Sequence, residues 1–284
     1  MKNFFYLAVL LAAISCNSNA NEPDPVVAIK HQSPFGTDTI GTKLKSVTFN
    51  GKLLIEYSYS QGYLSGYKKY VAFSKPRFFQ TGIFTRIGGE PQKAEVLVAQ
   101  ITPETEFVSE KQDPRMTLQY AAPKTDSIRE VAEQDFLMPS TTNKIYKFNK
   151  DGFIVEEVAS PSSGDAYSII FVRNGENNVS QTYKVLKSQS AKTDKVEFIY
   201  DTKPNPFFNL GIDWEGNFTN YAVSPNNPLQ EIIYNKDNVG VKSTYAYEYL
   251  PNGYPKKITI TRGFINVDGV EETDSPIVLD LLYY

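Results

Sequence analysis

The sequence predicts an all-β protein, an antiparallel meander of hairpins that forms a curled sheet or a barrel-like structure. Apolar and polar residues alternate along most of the chain after residue 40, as in half-buried strands. Asn-Gly or Asp-Gly turns separate these segments, and aromatic residues, which favour strands, are abundant at 19 Tyr and 18 Phe. Because one hairpin cannot bury its apolar face alone, we expect neighbouring hairpins to pair, and curling or closure to remove exposed edges.

The first hairpin is predicted around an Asn-Gly pair. Alternating segments at residues 47–49 and 52–59 flank Asn50 and Gly51. A type I′ turn needs positive φ at both central residues, which favours Asn followed by Gly. This stretch therefore predicts a strand, a two-residue turn and a second strand.

The same arrangement of an alternating aromatic segment, a turn and an apolar residue returns three times. Its spacing is irregular, so the chain is not a strict solenoid. The arrangement resembles the tyrosine-and-turn pattern of YD-type repeats in secreted bacterial proteins. The repeated turns lie at Gly152, Gly253 and Gly269, and further turns are predicted at Gly62, Gly175 and Gly216.

Residues 100–143 interrupt the alternation, because this stretch is more charged, and they mark a possible subdivision of the β domain. One short helix is predicted near 127–136, where Ser127 and Glu130 have the spacing of a capping box. The apolar residues that would share one face of this helix are Ile128, Val131 and Ala132.

A second interruption covers residues 201–228, where closely spaced prolines predict ordered loops instead of a central strand. The phrases Tyr-Asp-x-Lys-Pro-Asn-Pro-Phe, at 200–207, and Ser-Pro-Asn-Asn-Pro, at 224–228, lie at its ends. Together with a later Tyr-x-Tyr and Asn-Gly-Tyr-Pro-x-Lys, they resemble a group of uncharacterised Bacteroidetes lipoproteins with a β-rich domain of unknown function. The resemblance covers residues 145–262 and implies no catalytic residues.

The amino terminus resembles a lipoprotein signal. Lys2 precedes an apolar run over residues 4–14. That run is shorter than the roughly 20 residues that cross a bilayer, and it matches the apolar part of a secretory signal. Ala13, Ser15 and the only cysteine, Cys16, resemble a bacterial lipobox. The resemblance implies cleavage before Cys16 and its acylation, which would anchor the chain to a membrane without a spanning helix.

The predicted organisation is a signal peptide over 1–15, a flexible spacer over 16–40 and one large β domain over 41–284. Asn17, by resemblance to lipoprotein sorting rules, favours the outer membrane. Acidic residues at 22–24 resemble the signal that sends some Bacteroidetes lipoproteins to the cell surface. The predicted location is therefore an outer-membrane lipoprotein, with periplasmic and surface exposure both open.

Several kinds of chemistry are disfavoured by composition. The only histidine, His31, lies in the spacer, and the only cysteine lies at the predicted signal cleavage site, so no cofactor or metal site is expected. No phosphate-binding glycine motif is present, and the segment 235–240 is interpreted as a plain turn instead of a calcium loop. A net charge of −3 without a basic patch argues against nucleic acid as a partner.

The candidate ligand contacts surround the only tryptophan. Asp213 and Glu215 flank Trp214, and on a strand both carboxylates would share one face. With Tyr221 they form a possible ligand site, and paired carboxylates are also what glycoside hydrolysis requires. The predicted function is a binding or assembly module for a glycan or an envelope protein. A carbohydrate-active hydrolase is the alternative, and the sequence does not decide whether the chain is an enzyme.

Three further features are left with two interpretations each. The tyrosine rows at 245–249 and 57–59 are either sheet core or a binding surface. Thr39 and Ser127 match the Asp-Ser/Thr-apolar pattern of O-glycosylation in Bacteroidetes envelope proteins, although Ser127 is also the predicted helix cap.

Overall fold

The computed structural model describes residues 42–71, 77–87, 90–121, 128–186, 194–210, 224–234, 239–265 and 271–284. These residues form β-strands and two short 3-10 helices, Pro103–Thr105 and Phe208–Leu210. The strands are β1 (Leu44–Phe49), β2 (Lys52–Ser60), β3 (Tyr63–Val71), β4 (Arg77–Ile87), β5 (Glu90–Thr102), β6 (Phe107–Tyr120), β7 (Ile128–Asp135), β8 (Ser140–Phe148), β9 (Ile154–Pro161), β10 (Tyr167–Asn174), β11 (Asn177–Val185), β12 (Asp194–Pro204), β13 (Asn226–Tyr234), β14 (Gly240–Tyr249), β15 (Pro255–Ile265), β16 (Glu271–Thr273) and β17 (Ile277–Tyr283).

The strands form one closed antiparallel barrel. From β1 to β15 each strand pairs with the next, β15 also pairs with β17, and β17 pairs with β1. Sixteen strands therefore close the ring, and β16 is an extra strand that pairs with β15. The predicted all-β antiparallel meander is confirmed, and closure removes the two sheet edges that an open meander would expose.

Apolar side chains point into the barrel. Directly opposed residues of antiparallel strands share a face, so Val47 lies on the same face as its partners Ile55 and Leu281. All three are buried, and they belong to one hydrophobic core with residues from most of the other strands. Within the described residues, no helix is long and apolar enough to span a membrane.

The outward face carries charged pairs. Lys147 is opposed to Glu156 across β8 and β9, with Nζ 2.7 Å from Oε2. Glu248 is opposed to Lys257 across β14 and β15, with Nζ 3.1 Å from Oε1. Both pairs alternate with buried inward residues, such as Tyr146 beside Lys147. The hydrophobic core therefore lies inside the barrel, and the outward face carries charged pairs together with exposed apolar side chains such as Ile83 and Val172.

The predicted turns are present where the structure describes them. Asn50 and Gly51 have φ of 47° and 77°, both positive as a type I′ turn requires. Glycines with positive φ also stand at the predicted turns at Gly62, Gly175 and Gly253. These turns set the register of the hairpins they join.

The helix predicted near 127–136 is wrong. Residues from Ile128 to Asp135 form strand β7, paired with both β6 and β8. Val131 is buried inside the barrel, whereas its neighbour Ala132 points outward and is exposed. Pairing with β8 covers the whole segment and pairing with β6 covers Val131 to Asp135, and this tertiary pairing overrides the local capping signal.

The proline-rich stretch is also more regular than predicted. Strand β12 continues to Pro204, and β13 includes Pro228, which lies opposite Tyr200. The register shifts on both sides of Tyr200. Such irregularities let a strand accommodate proline, which lacks a backbone N–H.

The tyrosine rows belong to the core. Tyr57 and Tyr245 are buried inside the barrel. Tyr59 donates its hydroxyl hydrogen bond to the carbonyl of Leu44 at 2.9 Å, and Tyr247 donates to that of Pro228 at 2.6 Å. Of the two interpretations, the structure supports sheet core, with the hydroxyls of Tyr59 and Tyr247 bonded to backbone carbonyls.

The two ends of the barrel differ. We call the end where the described chain begins the entry rim; there Asn252 donates to the hydroxyl of Thr42 at 3.0 Å. The opposite end, which includes the Asn50 turn and the turn between β7 and β8, is the far rim. The entry rim is filled by apolar side chains that are at most 4% exposed, namely Phe153, Phe207, Phe208 and Leu210.

Gly82 is expected to be intolerant of a side chain. It lies opposite Tyr67, and a Cβ at Gly82 would stand 1.8 Å from Cε1 of that buried ring. Gly82→Ala should lower the free energy of unfolding by about 1–3 kcal/mol, because overpacking forces the ring to shift. Urea denaturation measures this. Thr85→Ala, at an exposed position of the same strand, is the control and should stay within about 0.5 kcal/mol of the wild type. Equal stability of Gly82→Ala and Thr85→Ala would contradict the packing.

Candidate ligand site at the far rim

The candidate site residues named from the sequence lie outside the described residues. They are the lipidation residue Cys16, the possible ligand contacts Asp213, Trp214, Glu215 and Tyr221, and the possible O-glycosylation residues Thr39 and Ser127. Their roles stay predictions. In the part of the chain that the structure describes, no group of three or more His, Cys, Asp or Glu side chains is arranged to hold a metal ion.

The residues on either side of segment 211–223 are held together by a buried asparagine. Asn205 donates its backbone N–H to the carbonyl of Pro225 at 2.7 Å, and its side chain donates to the carbonyl of Ser224 at 2.9 Å. Its side-chain oxygen accepts the N–H of Phe207 at 3.0 Å. The two phrases that carry the family resemblance therefore meet here and help to close the entry rim.

A different set of polar side chains comes together inside the barrel near the far rim. Lys144 lies opposite buried Val131 on one side and buried Ala159 on the other, and Ala159 lies opposite Tyr167. All four side chains therefore point inward. We use the name rim cluster for the polar and aromatic members of this inner surface: Glu133, Lys144, Glu157, Tyr167 and Tyr183.

Glu133 and Lys144 form an ion pair within the rim cluster. Nζ of Lys144 is 2.8 Å from Oε2 of Glu133, and the two side chains are 14% and 21% exposed, respectively. Glu133 lies opposite Leu118, which is fully buried. A pair that is largely removed from water but still reachable can exchange part of its mutual contact for hydrogen bonds to a ligand.

Two tyrosines lie beside this ion pair. The rings of Tyr167 and Tyr183 have centroids 5.0 Å apart and planes at 31°. Burial and the nearby Glu157 carboxylate raise the pKa of Tyr167 to about 12, although the Lys144 ammonium opposes this rise. Tyr167 is therefore a neutral phenol at physiological pH, with a hydroxyl that can donate and an aromatic face that can stack.

A rigid turn borders the rim cluster. The Asp135 carboxylate accepts the backbone N–H groups of Leu137 at 2.8 Å and Met138 at 3.0 Å, and it is paired with the Arg115 guanidinium. Burial alone would raise the pKa of Asp135, but the hydrogen bonds from Met138, Arg115 and Leu137 outweigh it and hold this pKa below its ordinary value. Asp135 thus fixes the edge of the barrel next to Glu133.

The outer face of the same strands carries a depression of about 480 Å³. A pocket of this size is within the usual range for small ligands. Among the described residues that line it, the outward side chains are small, amide, carboxylate or aliphatic groups, and its one tyrosine, Tyr120, points inward because it lies opposite buried Val131. Without an aromatic face it is a weaker candidate than the rim cluster. The outward lining residues are Gln119, Ala121, Glu130, Ala132, Asn143 and Ile145.

Sequence reasoning missed the rim cluster. Its members belong to five different strands, and only the barrel register brings them together. One signal was available in the sequence. Lys144 is separated from Tyr146 and Phe148 by even numbers of residues, so it lies on the same face of β8, which points into the core. A charged residue at a core-facing position indicates either a buried ion pair or a ligand site.

Comparison with known proteins adds little to this geometry. No family model matches the chain, and no curated protein matches it. Among solved structures, it is similar to a porin-like protein from Bacteroides uniformis, with a TM-score of 0.45 and 11% sequence identity. The alignment covers 89% of this chain and 100% of that one. A similarity of this size supports no statement about function.

The turn at Asp135 should make stability depend on pH. A carboxyl whose folded pKa is below its unfolded value of about 4 stabilises the fold above that pH and loses the contribution as pH falls. Asp135→Asn keeps an acceptor for Leu137 and Met138 but loses the charge facing Arg115. The wild type should therefore be more stable than Asp135→Asn at pH 6. The difference between their free energies of unfolding should become smaller as pH falls below about 4.

Urea midpoints measured across this pH range test the expectation. Asp113→Asn removes an exposed carboxylate from the same hairpin region and serves as the control. It should change the midpoint little, since exposed pairs contribute about 0–1 kcal/mol. If the difference in urea midpoint between the wild type and Asp135→Asn did not change with pH, the proposed role of the Asp135 charge would be contradicted.

Proposed function

We propose that this chain is a lipid-anchored envelope protein that binds a glycan at the far rim of its barrel. The observation that carries the proposal is the rim cluster, in which the Tyr167–Tyr183 ring pair stands beside the largely buried Glu133–Lys144 ion pair. Sugar rings offer apolar faces for stacking and hydroxyls for hydrogen bonds. Aromatic faces next to carboxylate and ammonium groups match both properties.

The charges of the rim cluster suit hydroxyls better than a single strong charge. Glu133 supplies acceptors and Lys144 supplies donors, and the 2.8 Å contact between them already balances their charges. A sugar hydroxyl both donates and accepts, so one ligand group can bond to both side chains. Tyr167, a neutral phenol at physiological pH, adds another donor.

The proposal attaches the barrel to the membrane through its amino-terminal segment. In this proposal the attachment is supplied by the predicted acylated Cys16 and the spacer 16–40. The described chain begins at the entry rim, the end of the barrel opposite the rim cluster.

Glycan binding is expected to depend on the tyrosine face. Tyr167→Ala should weaken binding about tenfold, because an aromatic contact contributes roughly 0.5–1.5 kcal/mol beyond buried area and 1.4 kcal/mol is tenfold. Tyr167→Phe keeps the ring and should retain most of the affinity. Binding is first identified on a glycan array and then measured by isothermal titration calorimetry on the selected sugar.

The ion pair provides a second test at the same site. Glu133→Gln combined with Lys144→Met avoids an unpaired buried charge and should reduce binding by roughly thirtyfold or more, the cost of losing desolvated charged contacts. Lys147→Met, which breaks an ion pair on the outer face of the same strand, is the matched control and should bind normally. Equal affinity of the double variant and the control would refute the site.

The hydrolase alternative depends on Asp213 and Glu215, which lie outside the described residues. Release of reducing sugar from the selected glycan by the wild type, abolished in Asp213→Asn, would favour the enzyme. Binding of the glycan without release of reducing sugar would favour the binding module.

Membrane attachment is tested separately from glycan binding. Mass spectrometry of the native protein should find an amino-terminal Cys16 carrying acyl chains. Cys16→Ser should leave the protein without acyl chains, and the variant should therefore leave the detergent phase in which the wild type is found. Normal partition of Cys16→Ser into detergent would contradict the anchor and leave the binding site unaffected.

A further inference from the structure

We infer that the rim cluster recognises the terminal unit of a glycan chain and not an internal segment. The inference rests on the proposed function and adds the part of the glycan that the site accepts. Its basis is that the rim cluster is shallow, has a closed floor and is bordered on one side by a longer hairpin.

The rim cluster lies close to the barrel edge. Tyr167 is the first residue of β10, and Glu133 and Tyr183 each stand two residues from the far-rim end of their strands. Lys144 is four residues from the start of β8. At about 3.3 Å per residue, no member is deeper than roughly 13 Å below the edge. That depth accommodates a sugar ring and its neighbour, but not a long chain.

The floor beneath the rim cluster is closed. Tyr146 and Phe148, two and four residues below Lys144 on the same inward face, are both buried, and Ile154, which lies opposite Phe148, is fully buried. These residues pack in one core that is continuous with the other strands. A glycan that enters at the far rim therefore meets packed side chains within a few residues of the edge.

Among the described residues, side chains also pack closely at the entry rim. Phe207 and Leu210 are each 1% exposed. Beside them, the Arg173 guanidinium lies 5.3 Å from the centroid of the Phe153 ring and donates to the carbonyl of Ile154 at 3.0 Å. A polymer could not pass along the barrel axis through this packing.

A wall stands on one side of the site. The hairpin of β5 and β6 continues beyond β7, because the last pair between β6 and β7 joins Met116 to Asp135. The remainder of the hairpin, up to the pair of Thr102 with Phe107, rises past the edge next to Glu133. A glycan lying flat across the rim would meet this wall, whereas a glycan entering by its end would not.

Length dependence of binding tests the inference. The probes are cello-, malto-, manno- and xylo-oligosaccharides from disaccharide to hexasaccharide, each measured by calorimetry against the intact mature protein. Recognition of an end predicts that the affinity per chain stops rising at a trisaccharide. For the gluco series, linear maltohexaose can be compared with its cyclic counterpart, which has no ends and should not bind.

The outcomes separate the two claims. Affinity per chain that keeps rising in proportion to the number of internal units, or binding of the cyclic sugar like the linear one, would overturn end recognition and leave the proposed function standing. Absence of binding by every glycan on the array would overturn the proposed function and the inference with it. If Tyr167→Ala loses binding of the oligosaccharides and Tyr167→Phe retains it, the glycan end is recognised at the rim cluster.

Discussion

Pairing between the first and last strands is the constraint on which the structure depends. The ladder of β1 and β17 runs from Leu44 opposite Tyr283 to Phe49 opposite Leu279. It is continued at both ends by backbone bonds, from Asn50 to Val278 and from Tyr284 to Lys43. Without this ladder the meander would have two long edges and its apolar face would be open to water. With it, every inward row of side chains faces other inward rows.

Closure also makes the two rims available for different purposes. At the entry rim, a buried asparagine and a group of phenylalanines fill the end of the barrel. Near the far rim, the inward-facing side chains of β7, β8 and β9 include the charged residues Glu133, Lys144 and Glu157. A polar inner surface has a cost in a hydrophobic core unless its groups are paired. The Glu133–Lys144 pair, close to water at the rim, limits that cost and leaves polar atoms within reach of a ligand.

Local patterns predicted the fold well where a single hairpin decides the outcome. Asn50 and Gly51 specify a turn through backbone sterics that act within two residues, so that hairpin is readable from sequence. Strand β7 was predicted as a helix because Ser127 and Glu130 have capping-box spacing and because Ile128, Val131 and Ala132 would share one helical face. Which strand pairs with which across the barrel is encoded only in the complete set of inward faces. The meeting of Lys144 with Tyr167, which lie on strands separated by a third, therefore could not be predicted from neighbouring residues.

Hydrogen–deuterium exchange of the terminal strands tests closure most directly. If β1 and β17 pair, peptides covering Leu44–Phe49 and Ile277–Tyr283 should exchange as slowly as those covering the interior strands β14 and β15. Fast exchange of both terminal strands, with β14 and β15 still protected, would show an open sheet. That result would contradict the closed barrel and remove the basis for two distinct rims.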